Sequence, residues 1–259
     1  HGLIGAKEIA VGNSEGNHTL IGVLDNTVSP MGARLLKRWI IFPLKDILKI
    51  NERLELVEFL IKETDLRNKL SQSIKHCGDI ERLVSKIPMK KINPREVLQL
   101  ARGLQQVEII KQLCSASSNE YLKRLGDALN PCPYIAEKIF KEIVDNPPAV
   151  AAKGGVINSG VSAELDDLRN ISKSGKEYLV QLQQQEVERT GINSLKIGFN
   201  NVFGYYLEVT NLHKNKVPPE WMRKQTLANA ERYITPELKD YEEKIIGAEE
   251  KILQIELQL

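Results

Sequence analysis

The final two dozen residues carry the pattern that most restricts the fold. Leu238, Tyr241, Ile245, Ala248, Ile252, Ile255 and Leu259 are spaced 3, 4, 3, 4, 3 and 4 residues apart. That is the spacing of a helix that presents one narrow apolar seam to a single partner helix. Pro236 stands where a first helical residue belongs. A candidate partner lies upstream. From Ser162 to Glu188 only Gly175 weakens a helix, and Leu165, Leu168, Leu179 and Leu182 keep a heptad register with Ser172 and Gly175 in its weak middle. At ~1.5 Å per residue this is a rod about 40 Å long. The two rods are expected to pair antiparallel; the plainer reading packs each on a bundle core.

Between the rods the period falls to two. Leu195, Ile197 and Phe199 alternate with Ser194, Lys196 and Gly198, and Tyr205, Leu207 and Val209 alternate with Tyr206 and Glu208. Two more extended runs are expected near 221–227 and 230–234. Polar breaks fall at Asn200-Asn201 and from Asn211 to Pro219. Four strands leaving one helix and entering the other should go out, back, out and back. That would bring the first and third connections, Asn200-Asn201 and Ala228-Asn229, together at the tip farthest from the helices. The second, around His213, would sit back toward them.

The rest reads as helices. Ser29-Pro30 and Asn93-Pro94 are cap-then-proline starts, and the first of these carries the stripe Leu35, Leu36, Trp39 and Ile40. Asp46 opens a helix with Ile47, Ile50, Leu54, Val57, Leu60 and Ile61 on one face. Shorter helices are expected from Asp65 and Asp79, and near 120–129 and 134–144. Residues 153–160 form a turn-rich connector carrying Val156-Ile157. The first 27 residues, with glycines at 2, 5, 12, 16 and 22, read as irregular. The expected fold is mainly α: a multi-helix core with two long antiparallel helices and a small four-stranded antiparallel sheet inserted between them. Residues 1–187 and 236–259 make a discontinuous helical domain, and 188–235 the sheet domain.

Composition excludes several classes. No run approaches ~20 apolar residues, so no membrane span is expected, and His1 to Lys7 do not read as a signal peptide. Cys77, Cys114 and Cys132 are odd in number and lack CxxC spacing, which fits a reducing, cytoplasmic setting. The formal net charge of +2 hides a gradient. Residues 188–235 hold seven Lys/Arg against four Glu; 162–187 hold three basic against five acidic, and 236–259 three against seven. A basic sheet on acidic legs suits a polyanion touched by the sheet alone. Lys224, Asn200, Asn201 and Asn229 are the candidate phosphate contacts.

Catalytic constellations are wanting. The histidines at 1, 18, 76 and 213 form no metal-ligand spacing, so no metal is expected. His213 could approach a phosphate, although an exposed loop residue is the simpler reading. Asp166-Asp167 diverge by about 100° on a helix and suit its N-terminus instead. Cys77 beside His76 has no third partner. Trp39 and Trp221 read as packing residues. The only Gly-Lys pair, Gly175-Lys176, is followed by Glu177, so no phosphate-cradling GxxxxGK[ST] loop is present and no enzyme is expected.

The run Glu188-Arg189-Thr190-Gly191-Ile192-Asn193-Ser194-Leu195-Lys196-Ile197-Gly198-Phe199-Asn200, with Phe203-Gly204-Tyr205-Tyr206-Leu207-Glu208-Val209, closely resembles the clamp region of the MutS family of DNA mismatch-repair proteins. So do Arg223-Lys224-Gln225-Thr226-Leu227 and Asn229 to Lys239. Met31 to Trp39, Asp79 to Leu83 and Leu165 to Arg169 resemble that family's core and lever region; the likeness covers roughly 19–259. It implies that the sheet is a clamp gripping the backbone of duplex DNA without reading bases, through Asn200, Asn201, Arg223, Lys224, Gln225, Asn229 and Arg232. It implies that the long helices are levers relaying DNA binding to an ATPase domain lying elsewhere, where ATP and Mg would bind, with no cofactor in this portion. Homodimerisation and a MutL-type partner protein are implied too. Many relatives carry a basic residue where this chain has Ala228, which leaves Lys224 and Arg223 to compensate. Phe140-Lys141-Glu142 matches the family's mismatch-reading Phe-x-Glu by letter but lies within an amphipathic helix, and reads as chance. The expected chain is therefore core, lever and clamp without mismatch reader or ATPase. A member of the family specialised for recombination would share these motifs. The rival reading from another class is a helical protein-interaction scaffold that uses the seam of 238–259 without nucleic acid.

Overall fold

A computed structural model describes residues 19–259 of the chain. Compact packing divides it into residues up to Ala149 and residues from Val150 onward. The long helices and the sheet thus pack as one body. The boundary at 187/188 falls within that body and divides it by charge rather than by packing.

The first unit holds α1 (Leu20–Leu24), α2 (Pro30–Ile41), α3 (Ile47–Lys62), α4 (Thr64–Cys77), α5 (Ile80–Lys86), α6 (Pro94–Ser115), α7 (Glu120–Asp127) and α8 (Pro133–Glu142). Local capping explains most starts. Ser29 accepts from Gly32 N–H, Asp46 from Leu48, Asp79 from Arg82 and Asn119 from Leu122. Asn93 and Glu96 form a reciprocal capping box behind Pro94. Two details differ from expectation. The stretch read as irregular contains α1, capped by the Thr19 hydroxyl, although Gly22 lies inside it; residues 1–18 of that stretch lie outside the described residues. Trp39 is more than a third exposed and has the Arg53 guanidinium 3.7 Å above its ring, so it packs on a cation rather than in a core.

In the second unit α9 (Ala163–Thr190) and α10 (Pro236–Gln258) run antiparallel, as expected. Tyr178 stacks on Tyr241 with ring centroids 3.8 Å apart, Ser172 donates to Glu249, and Arg169 bonds Glu256 at 2.6 Å. Falling numbers on one helix thus meet rising numbers on the other. At the seam's weak middle, a Cβ on Gly175 would lie 2.5 Å from Ile245 Cγ1. The glycine permits the close approach of the helices there.

The sheet comprises β1 (Lys196–Asn200), β2 (Gly204–Thr210), β3 (Met222–Thr226) and β4 (Ala230–Ile234), in the spatial order β1-β2-β4-β3 with every neighbour antiparallel. Its inner face joins the helices in one core of Leu179, Leu182, Ile192, Leu195, Leu207, Val209, Trp221, Tyr233, Leu238 and Ile245. Trp221 is a packing residue, its ring 5.9 Å from that of Tyr233.

The strand directions correct the expected tip. Asn200 pairs with Gly204 at one end of β2, whereas Ala230 pairs with Thr210 at the other. The connections at Asn200-Asn201 and Ala228-Asn229 therefore lie at opposite ends of the sheet, about 20 Å apart at ~3.3 Å per strand residue. The first abuts α10, where Tyr205 N–H donates to Glu242 and Lys239 Nζ to the Phe203 carbonyl. The turn around His213 is the one beside Ala228-Asn229: Asn211 N–H donates to the Asn229 carbonyl. The reason is an unequal pair of helices. Thr190 lies twelve residues past Tyr178, about 18 Å, while α10 begins only five residues before Tyr241. The chain leaves α9 beyond the start of α10 and needs an odd number of legs to return. Residues 217–221 supply the extra leg without forming a strand.

Candidate nucleic-acid interface

Ion pairing sorts the cations of residues 188–235 into two kinds. Arg189 bonds Glu186 and Glu220, Arg223 bonds Glu231 at 3.3 Å, and Arg232 bonds Glu208 at 2.8 Å. Lys196, Lys214, Lys216 and Lys224 are exposed and have no carboxylate partner among the described residues. The excess of positive charge thus resides in four lysines, three of which lie outside the residues singled out from the sequence.

Lys224 occupies a special backbone position. The register of β3 against β4 slips between Arg223 and Gln225, so Lys224 is the extra residue of a β-bulge on an edge strand. Bulges re-aim side chains and end ordinary pairing; here the ammonium stands free. Arg232 is the opposite case. Its guanidinium lies 4.2 Å over the Tyr206 ring, bonds Glu208 and donates to Gln225 Oε1 at 3.0 Å. Arg232 and Gln225 therefore hold the outer face of the sheet together, with Tyr206 buried beneath. Arg223 is largely exposed beyond its single bond to Glu231.

Of the candidate amides, Asn200 accepts from Val202 N–H at 2.7 Å and so shapes the β1–β2 turn, where Asn201 is exposed. Asn229 is exposed at the opposite end. The seven candidates thus form no single cluster. Arg223 stands opposite Tyr233 and bonds Glu231 on the inner-face register, Gln225 and Arg232 pair on the outer face, Lys224 is the bulge residue between them, Asn229 marks one end and Asn200-Asn201 the other. The free lysines were missed because a sequence shows charges but not which carboxylates cancel them. Glu208 is twenty-four residues from Arg232.

The local electrostatics hold the inner face together. Tyr233 donates to Glu231. Burial first, then this carboxylate, pushes the phenol up to about 12. The Tyr233 hydroxyl is in turn the main cause holding the Glu231 carboxyl below the usual carboxylate range, with Arg223 and Lys214 assisting. At the far end of the helix pair, Glu256 is buried and receives Arg169 Nη2 and Val156 N–H.

Two buried thiols, Cys77 and Cys114, are pushed up by desolvation. Among the described residues no three His, Cys, Asp or Glu stand together to hold a metal ion. No helix among them is long and apolar enough to cross a membrane.

Two long antiparallel helices with a small lysine-bearing sheet inserted between them define a lever-and-clamp domain. The chain belongs to the MutS domain III family, which it matches over residues 7–255. The DNA mismatch repair protein MutS of Bacteroides thetaiotaomicron is 56% identical over 246 residues, 95% of this chain and 28% of that protein. Its namesake in Parabacteroides distasonis is 55% identical over 247 residues, with the same coverage, and that of Cytophaga hutchinsonii is 53% identical over 237 residues, 92% of this chain and 28% of the relative. The chain thus spans little more than a quarter of the length of these curated relatives.

Proposed function

We propose that this lever-and-clamp portion of a mismatch-repair protein holds duplex DNA by its backbone, without reading bases, and that α9 and α10 relay that hold to an ATPase domain elsewhere in the whole protein. The observation that carries the reading is the separation of cations: Arg189 and Arg232 are ion-paired within the fold, whereas Lys196, Lys214 and Lys224 are exposed with no carboxylate partner among the described residues. A lysine ammonium is a mobile point charge that neutralises a phosphate, and a contact made to the backbone carries no base sequence. Lys224 on its bulge is the central contact, with Arg223 beside it and Asn200, Asn201 and Asn229 as amide donors. Gln225 and Arg232 act by keeping the sheet in shape. Residues 188–235 are the gripping domain, and 1–187 with 236–259 the core and levers. The relay is supported by the core common to sheet and helices and by the Glu242 bond to the β1–β2 turn. Mismatch-containing duplex, a second subunit and a MutL-type protein are the partners of the whole protein, whose ATPase domain takes ATP and Mg.

The scaffold reading is weakened because Leu238, Ile245 and Ala248 of the seam are buried within this chain. Duplex titrations at low and at ~200 mM salt separate the two readings, since only a phosphate-held complex is salt-sensitive. A Lys224→Ala, Asn229→Ala double variant should weaken binding to all sequences alike. It should also flatten the dependence of log affinity on log salt by about 0.9 for each phosphate no longer neutralised. Unchanged binding by the double variant refutes the proposed DNA-facing surface.

A further inference from the structure

We propose that the turn Asn211–Lys216 is a second phosphate-contacting element, with Lys214 as its cation, standing beside the Ala228-Asn229 connection. This rests on the DNA-gripping reading above and adds residues to it. The turn is fastened to the β3–β4 connection by one residue acting twice. Asn211 N–H donates to the Asn229 carbonyl at 3.1 Å, and Asn211 Nδ2 donates to the Ala228 carbonyl at 2.9 Å. The turn is a 3-10 helix, in which residues three apart stand one above the other. Lys214 therefore rises on the same face as Asn211, the face that holds Ala228 and Asn229.

Its charge is uncommitted. Lys214 lies within electrostatic reach of Glu231, yet that carboxylate is taken by Tyr233 and Arg223. Lys216, by contrast, donates to the Gly191 carbonyl at 3.3 Å and so sits at the C-terminal end of α9, where a cation offsets the helix dipole. One lysine of the turn anchors it and the other faces solvent. With Asn229 exposed beside it, Lys214 offers an ammonium and an amide donor at one spot, the pairing used for phosphodiester oxygens.

The test is titration of the full 259-residue chain with a mixed-sequence duplex oligonucleotide across a range of salt. Lys214→Ala should lower the steepness of the salt dependence by about 0.9, Lys214→Arg should leave it unchanged, and Ala228→Lys in the Lys214→Ala background should restore it. Salt-sensitive binding that Lys224→Ala flattens but Lys214→Ala leaves untouched overturns this inference alone. A flatter slope in Lys214→Ala that Ala228→Lys does not restore refutes the placement of the Lys214 charge beside the 228–229 connection. Absence of salt-sensitive binding by the parent chain refutes the gripping reading, and this inference with it.

Discussion

The carboxylate of Glu242, in the second turn of α10, accepts the backbone N–H of Tyr205 at 2.7 Å, directly after the β1–β2 turn. The approach is close because residue 204 is glycine, at φ +81; a Cβ there would collide with the same carboxylate. Lys239 closes the arrangement by donating to both Glu242 and the Phe203 carbonyl. Sheet and helix are thereby joined at the backbone as well as through the core. Gly204→Ala should cost about 1–3 kcal/mol from its left-handed backbone alone, more if Glu242 is displaced. A urea midpoint equal to that of the parent would refute the joint.

Gly175→Ala should also destabilise, by about 1–3 kcal/mol, because the new methyl group overpacks against Ile245 in a fully buried contact. Truncating Ile245 to Ala should make the glycine substitution cheaper. The double variant would then be less unstable than the sum of the two single ones. Strict additivity in a denaturation cycle would show that the helices do not meet there.

Arg232 and Lys224 should separate stability from binding. Arg232→Ala removes a cation stacked on Tyr206 and a partner of Glu208, and should cost about 1–2 kcal/mol while leaving the salt slope of DNA binding unchanged. Lys224→Ala should leave the melting temperature unchanged and flatten the slope. The reverse pattern would exchange the roles assigned to the two residues.

Alkaline pH should loosen the second unit in a defined window. Tyr178 is pushed up to about 12, chiefly by its hydrogen bond to Glu237, and Tyr233 to about 12, chiefly by burial. A phenol whose folded pKa exceeds its unfolded value of about 10 contributes fully below pH 10, and that contribution is lost as pH rises through about 12. Denaturation midpoints should fall across this interval. Tyr178→Phe and Tyr233→Phe should each reduce the fall, and the ultraviolet absorbance titration should lose its latest-ionising component in the double variant.

Glu256 makes a stability prediction that the heptad pattern hides. Counting by heptads puts Ile252, Ile255 and Leu259 on the seam, yet Leu259 is exposed and the buried residue is Glu256. It is held by Arg169 and by Val156 N–H of the connector, whose Val156 and Ile157 are buried. Glu256→Ala would leave the Val156 N–H without its acceptor and take from Arg169 the nearer of its two carboxylates, leaving it Asp166 and the Ile157 carbonyl, at a cost of about 1–3 kcal/mol. Simultaneous Arg169→Met should recover part of it. A melting temperature equal to the parent's in Glu256→Ala would remove the carboxylate from the structural account.

Features governed by neighbours three or four residues away were legible in the sequence. Helix starts at Ser29, Asp46, Asp79 and Asn93 each use a side chain and an N–H within three residues. The heptads of α9 and α10 are strips whose spacing is visible within each helix, although their residues share a core with the sheet. The strands appeared in their alternation. Gly22 misled because its cost to a helix is small enough for Thr19 capping to offset. The candidate site was legible only by residue type, because nothing local distinguishes a lysine left free, such as Lys214, from an arginine bound across the sheet, such as Arg232.

Short-range periodicity and capping were thus enough to set the two antiparallel rods, the four strands between them and the positive balance of the segment carrying those strands. Which ends of the strands meet, and which charges survive, was settled only by packing in three dimensions. Both depend on partners far apart in the chain. The overrun of α9 past the start of α10 reverses the direction of β3 and brings the His213 turn, rather than Asn200-Asn201, beside Asn229. Pairings such as Arg232 with Glu208 and Arg223 with Glu231 then cancel the arginines. Four exposed lysines remain without an ion pair among the described residues.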